Sequence, residues 1–132
     1  MPGSTEVLKR MLKDSNGAYS DFEYVPNSTE TDLMIDCGVL FLMAFWSGPA
    51  VMGFKNLCES LHAIELPSGF LFRVLDWDGA THFLDRLSQH DLIIGGNAEA
   101  FWFRKGKIIA ATHVGTSSPE RIMKIIDRLA QS

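Results

Sequence analysis

From Gly38 to Phe45 the sequence reads Gly-Val-Leu-Phe-Leu-Met-Ala-Phe, eight residues without a polar side chain. A strand alternates its side chains between two faces, so this run needs apolar cover on both sides. A sheet buried between helices supplies that cover, and a half-solvated hairpin does not. Phe70-Leu-Phe-Arg-Val-Leu75 is a second run of the same kind, and both are expected mid-sheet. Between them Val51, Phe54, Leu57, Cys58 and Leu61 fall on one helical stripe, with Lys55, Asn56, Glu59 and Ser60 opposite. The order strand, helix, strand implies a right-handed parallel crossover.

Upstream, Val7, Leu8, Met11 and Leu12 recur at helical spacing, and Asn16-Gly17 is a natural stop. Phe22-Glu-Tyr-Val-Pro26 alternates weakly, as an edge strand does, and residues 27–36 read as a polar turn holding one helical turn. Downstream, Asp78-Gly79 turns the chain into a helix expected to run to about Ser88, with Phe83, Leu84 and Leu87 on its buried side. Ala100–Phe103 and Lys107–Thr112, joined by Arg104-Lys105-Gly106, predict an antiparallel hairpin. Ser118-Pro119-Glu120 is a helix start, with serine as cap and proline at the first helical position; Ile122, Ile125, Ile126 and Leu129 form its apolar face. The sum is an α/β domain, a four- or five-stranded mixed sheet with helices on both faces.

With 132 residues, 46% of them hydrophobic, the chain is long enough for one real core and short for two, so residues 1–132 are read as a single domain. A charged fraction of 21% and a formal charge of -4 give no basic field for a phosphate backbone. Nucleic-acid binding is disfavoured, and a basic partner is better matched. Cys37 and Cys58 are the only cysteines, with neither C-x-x-C nor zinc-ligand spacing, which fits a reducing compartment. Met1-Pro-Gly-Ser-Thr-Glu6 lacks a basic region followed by an apolar run, and the longest apolar stretch, Gly38–Trp46, is too short to span a bilayer. A cytoplasmic protein without a membrane partner is the expectation.

The junction between the first apolar run and the helical stripe, Ala44-Phe45-Trp46-Ser47-Gly48-Pro49-Ala50, resembles the Trp-Cys-Gly-Pro-Cys junction of the thioredoxins. Phe103-Arg-Lys-Gly106 and Val114-Gly115 share that family's spacing, and the resemblance covers about residues 35–130. Trp46, Gly48 and Pro49 fall on the family's Trp, Gly and Pro, while Ser47 and Ala50 fall on its two cysteines. In the family the first cysteine is a thiolate at a helix N-terminus that attacks a disulfide, and the second resolves the mixed disulfide. A serine hydroxyl has a far higher pKa and Ala50 has no heteroatom, so the resemblance implies a thioredoxin-like fold in which dithiol exchange at the motif is excluded. The family's buried acid falls on Phe41, the lysine facing it on Val74, and its cis proline on Ala98. All five positions depart together, so the missing thiols belong to a wholly altered site. A non-proline cis bond costs about 2.5–4 kcal/mol, so a trans peptide is expected before Ala98, and with it a loop of different shape.

Ser47 sits where a helix N-terminus favours developing negative charge, yet no G-x-S-x-G elbow surrounds it. It reads as a helix cap; a hydrolytic or transferase role requires a histidine within hydrogen-bond reach. Asp76 and Asp78 flank Trp77 and form either an acid pair or cation site, if the chain stays extended, or a turn and cap. His62, His82, His90 and His113 show no ligand spacing, and neither a metal nor a cofactor is expected. Trp46 and Trp77 are either partner anchors or packed against their own loops, while Trp102, in an alternating strand, reads as a sheet-face residue. The first reading is a redox-inactive thioredoxin-like module that holds a protein or peptide, in a chaperone, adaptor or immunity-type role. Its surface comprises Trp46, Ser47, Gly48, Pro49, Ala50, Asp76, Trp77, Asp78, Asn97 and Ala98. The alternative is a thiol-disulfide oxidoreductase using Cys37 or Cys58, which requires an exposed thiolate of lowered pKa.

Overall fold

The computed structural model describes residues 3–87, 94–114 and 118–131. Among them the chain runs α1 (Thr5–Met11), β1 (Glu23–Val25), β2 (Cys37–Met43), α2 (Gly48–His62), β3 (Leu71–Asp76), α3 (Leu84–Leu87), β4 (Glu99–Arg104), β5 (Lys107–His113) and α4 (Pro119–Ala130). The strands form one five-stranded mixed sheet in the order β1-β3-β2-β4-β5. β1, β3 and β2 are parallel, and β4 and β5 are antiparallel to their neighbours. The two apolar runs are therefore interior strands, and Glu23–Val25 is the expected edge.

The alternation along β2 divides the core. Val39, Phe41 and Met43 join the larger cluster, with Phe54, Leu57 and Leu61 of α2, Ile122 and Ile126 of α4 and Leu8 of α1. Leu40 and Leu42 join a smaller cluster on the other face, with Ile35, Leu75, Leu87, Phe101 and Phe103. Period two thus explains why a single strand has to be apolar at every position. Trp102 is fully buried, and its indole N–H donates to Thr112 Oγ1 at 3.1 Å. Ser118 caps α4 by accepting the Arg121 N–H at 3.2 Å.

One expected element is corrected. The helix expected from Gly79 to Ser88 is instead a pair of single 3-10 turns, Trp77–Gly79 and Thr81–Phe83, followed by the short α3; Ser88 lies outside the described residues. The cause is tertiary. Gly79 is pressed so close to the chain leaving β1 that a Cβ there would stand 1.8 Å from the Pro26 carbonyl oxygen, and the Gly79 carbonyl accepts the Ser28 N–H at 3.0 Å. That close approach fixes the backbone at Gly79 against the segment after β1, and the turns there follow the docked chain rather than a regular helix. Phe83 and Leu87 are buried as expected and Leu84 is half-buried. The polar turn before β2 holds its helical turn at Glu30–Leu33.

Candidate functional site

β2 carries the chain to the C-terminal end of the sheet, where Trp46 emerges 60% exposed. Ser47, extended, caps α2: its Oγ accepts the Ala50 N–H at 3.4 Å, and Pro49 occupies the first turn, where a missing N–H costs nothing. The same hydroxyl donates to the Gly96 carbonyl at 2.6 Å, so its proton is engaged by the facing loop. Gly48 and Pro49 are exposed and Ala50 is buried. Beneath the junction, Phe41 and Val74 are register partners on β2 and β3, both fully buried. An apolar pair fills the place where the resemblance puts an acid and a lysine.

Residues 95–99 form the facing wall, and the peptide before Ala98 is trans. Gly96 (φ +73°) and Ala98 (φ +62°) are both left-handed, bracketing the exposed Asn97. An alanine in this region costs roughly 1–3 kcal/mol and persists only when its surroundings demand it. Here the demand comes from Glu99. Its side chain is fully buried, and Oε2 accepts the Gly95 and Asn97 N–H groups, each at 3.0 Å. His113 Nε2 stands 3.7 Å from the same oxygen. Two backbone N–H groups gathered on one buried acceptor, with the His113 ring facing it, hold the loop in that shape and offset the backbone strain. A Cβ at Gly96 would also meet the Trp46 indole at 2.6 Å, so any larger residue there would displace that ring.

Trp46 leans edge-to-face on Trp77, with ring centroids 5.9 Å apart and planes at 86°. Trp77 is half-buried, between the two core clusters. Asp76 and Asp78 are not an extended acid pair, because the chain turns between them: Asp76 Oδ1 accepts the Asp78 N–H at 3.0 Å, and Oδ2 accepts the Tyr24 hydroxyl at 2.6 Å. Burial, the Asp76 hydrogen bond and the charges of Asp76 and Asp78 together push the Tyr24 hydroxyl well above its ordinary range. Ser47, Pro49, Gly95, Gly96, Asn97 and His113 line one open groove of about 460 Å³ beside these rings. A groove of about 650 Å³ lies at the other end of β2, beside Met34 and Asp36 and under the Arg86–Glu30 ion pair; it is larger but holds none of the expected site residues.

Solved thioredoxins share this fold. Mitochondrial thioredoxin 3 from Saccharomyces cerevisiae, in its oxidized form, matches with a TM-score of 0.60 at 19% identity, over 84% of this chain and 98% of that one. Thioredoxin from Malassezia sympodialis (Mala s 13) matches at 0.62 and 14% identity, over 84% and 92%. Thioredoxin O1 from Arabidopsis thaliana matches at 0.60 and 14%, over 88% and 100%. The chain has a thioredoxin-like fold. No protein-family model matches the sequence, and no curated protein does.

On that thioredoxin-like fold the two cysteines lie away from the groove lining. Cys58 is fully buried on α2, and burial, followed by the charge of Glu59, pushes its thiol far up. Cys37 is half-buried at the opposite end of β2 from Trp46, and burial and Asp36 push it up as well. Both shifts oppose the lowered pKa that a thiol enzyme requires. His82 Nε2 lies 3.2 Å from the Ser28 carbonyl, His62 packs beside Gly17, and His90 falls outside the described residues. Among the described residues no group of three or more His, Cys, Asp or Glu is placed to hold a metal ion, and no helix is long and apolar enough to cross a membrane.

Of this loop the sequence points only to Asn97 and Ala98, and the Glu99–His113 pair is not among the expected site residues. The usable signal was a lone acid at the mouth of the otherwise apolar Glu99-Ala100-Phe101-Trp102-Phe103. An acid there has to find internal donors.

Proposed function

We propose that this chain is a redox-inactive thioredoxin-like protein that works as a protein- or peptide-binding module through the surface around Trp46, Gly48, Pro49, Trp77, Gly95 and Asn97; Ala50 and Ala98, expected on that surface, are fully buried and support it from beneath. The observation that carries the reading is the junction itself: a 60% exposed tryptophan beside an open groove, at the place where this fold carries its reagents, with Ser47 and Ala50 in place of sulfur. The Ser47 hydroxyl is spent on the Gly96 carbonyl and on the helix cap, which supports a structural rather than a nucleophilic part for it. Exposed aromatic side chains with apolar bodies and polar edges are favoured anchors for partners. A chaperone, adaptor or immunity-type role is compatible with such a surface.

Two measurements test this. In a disulfide-reduction assay the wild-type chain is expected to give no turnover above buffer; turnover abolished by Cys58→Ala or Cys37→Ala would establish the thiol-enzyme alternative. A photo-crosslinking residue at Asn97 is expected to capture a partner in the native host, and the same residue at Asn56, on the solvated side of α2, is expected not to. Equal capture from both positions argues against a dedicated surface.

A further inference from the structure

The chemistry of the partner can be read from what surrounds the two tryptophans. Trp46 and Trp77 meet at a right angle, so together they form an inside corner with one wall largely open to solvent. Indole faces are negative and attract cations, guanidinium most of all, because it is flat and weakly hydrated. The three segments that build this end of the site, residues 44–50, 76–80 and 95–99, contain three carboxylates, Asp76, Asp78 and Glu99, and no lysine or arginine. Glu99 is internally satisfied by backbone N–H groups and His113. Asp76 accepts from Tyr24 and from the Asp78 amide, and Asp78 is exposed. The N-terminus of α2 is the opposing positive influence, and the Ser47 hydroxyl covers part of it. Asp78, exposed and next to Trp77 in the chain, puts a carboxylate on the Trp77 side of the corner.

We infer that the Trp46–Trp77 corner receives a cationic side chain, an arginine or lysine of an extended segment in the partner protein, with its head group against the indoles and near Asp78. The inference rests on the binding reading above and gives it a charge preference. It also agrees with the whole-chain charge of -4, which attracts a basic partner over a longer range. Ion pairing alone at a rim is weak, so selectivity arises from the indole faces together with the carboxylate rather than from either one.

The test uses blocked heptapeptides that are identical except at a central Arg, Lys, citrulline, norleucine or Glu, titrated into the full chain while the three indole N–H resonances are followed. Trp46→Phe and Trp77→Phe assign two of them, and the buried Trp102 is the internal control. The Arg and Lys peptides are expected to move the Trp46 and Trp77 signals but not the Trp102 signal, with affinity about 3- to 10-fold above citrulline. Raising the salt should weaken them, and Asp78→Asn should remove much of the preference. Peptides that move the same two signals irrespective of central charge, or with Glu ahead of Arg, would overturn the cationic inference and leave the binding surface standing. If no peptide moves either signal, the inference is overturned; only the crosslinking result then bears on the broader reading.

Discussion

The junction wall of the groove stands on apolar packing, with Phe41 and Val74 buried beneath it and one serine capping the helix, whereas the facing loop stands on a single buried carboxylate. The first wall spreads its support over several packed side chains, Phe41 meeting Val74 across the sheet and Phe54 of α2. The second concentrates its support in Glu99, which holds two loop amides and faces His113. The groove therefore keeps its shape with different residues on each side: buried apolar side chains under one wall and a buried carboxyl under the other. Where the resemblance puts an acid facing a lysine and a cis proline, this chain has an apolar pair and a buried Glu99 that gathers two loop N–H groups.

The comparison breaks if the two walls fail to respond in their own ways. Phe41→Ala should have the largest effect, roughly 3–5 kcal/mol of stability, read as a lower urea midpoint. Glu99→Ala comes next, at about 2–4 kcal/mol, because two backbone N–H groups lose their acceptor. It should also alter the near-ultraviolet signal of Trp46, whose ring lies on Gly96; an unchanged midpoint and spectrum would show that the loop holds itself.

Alkali sharpens the account of the buried face. Burial raises the folded Cys58 thiol above its ordinary 9.0, so both states keep the proton at lower pH. Above that value the unfolded chain releases it first, and stability falls as pH rises, by up to about 1.4 kcal/mol per pH unit. Cys58→Ala is expected to remove that share of the slope in denaturation curves measured across alkaline pH, leaving the parts due to Cys37, Tyr19 and Tyr24, which are raised in the same sense. The smallest effect belongs to Ser47→Ala, about 1 kcal/mol for the lost cap, accompanied by faster amide exchange at Gly96 and Asn97.

Much of the architecture was legible because its causes are local or periodic. The unbroken apolarity of residues 38–45 identified an interior strand, the 51–61 stripe its covering helix, and Ser118-Pro119 the start of α4. The helix expected over 79–88 failed because Gly79 bonds to Ser28, a partner 51 positions away whose approach no spacing announces. Glu99 escaped notice for a similar reason, since its loop donors are nearby but its burial and its facing histidine depend on how β4 and β5 pair.

The sequence by itself determined the parity of the central strands, the helix caps and the absence of sulfur from the junction, because these depend on residue type and short spacing. Only the tertiary structure decided that Trp46 stands at a right angle to Trp77, that the Ser47 proton goes to Gly96, and that Asp76 serves Tyr24. Those outcomes turn on which segments come within a few ångströms of one another, and that is settled by burying the two faces of the sheet rather than by any residue's own preference.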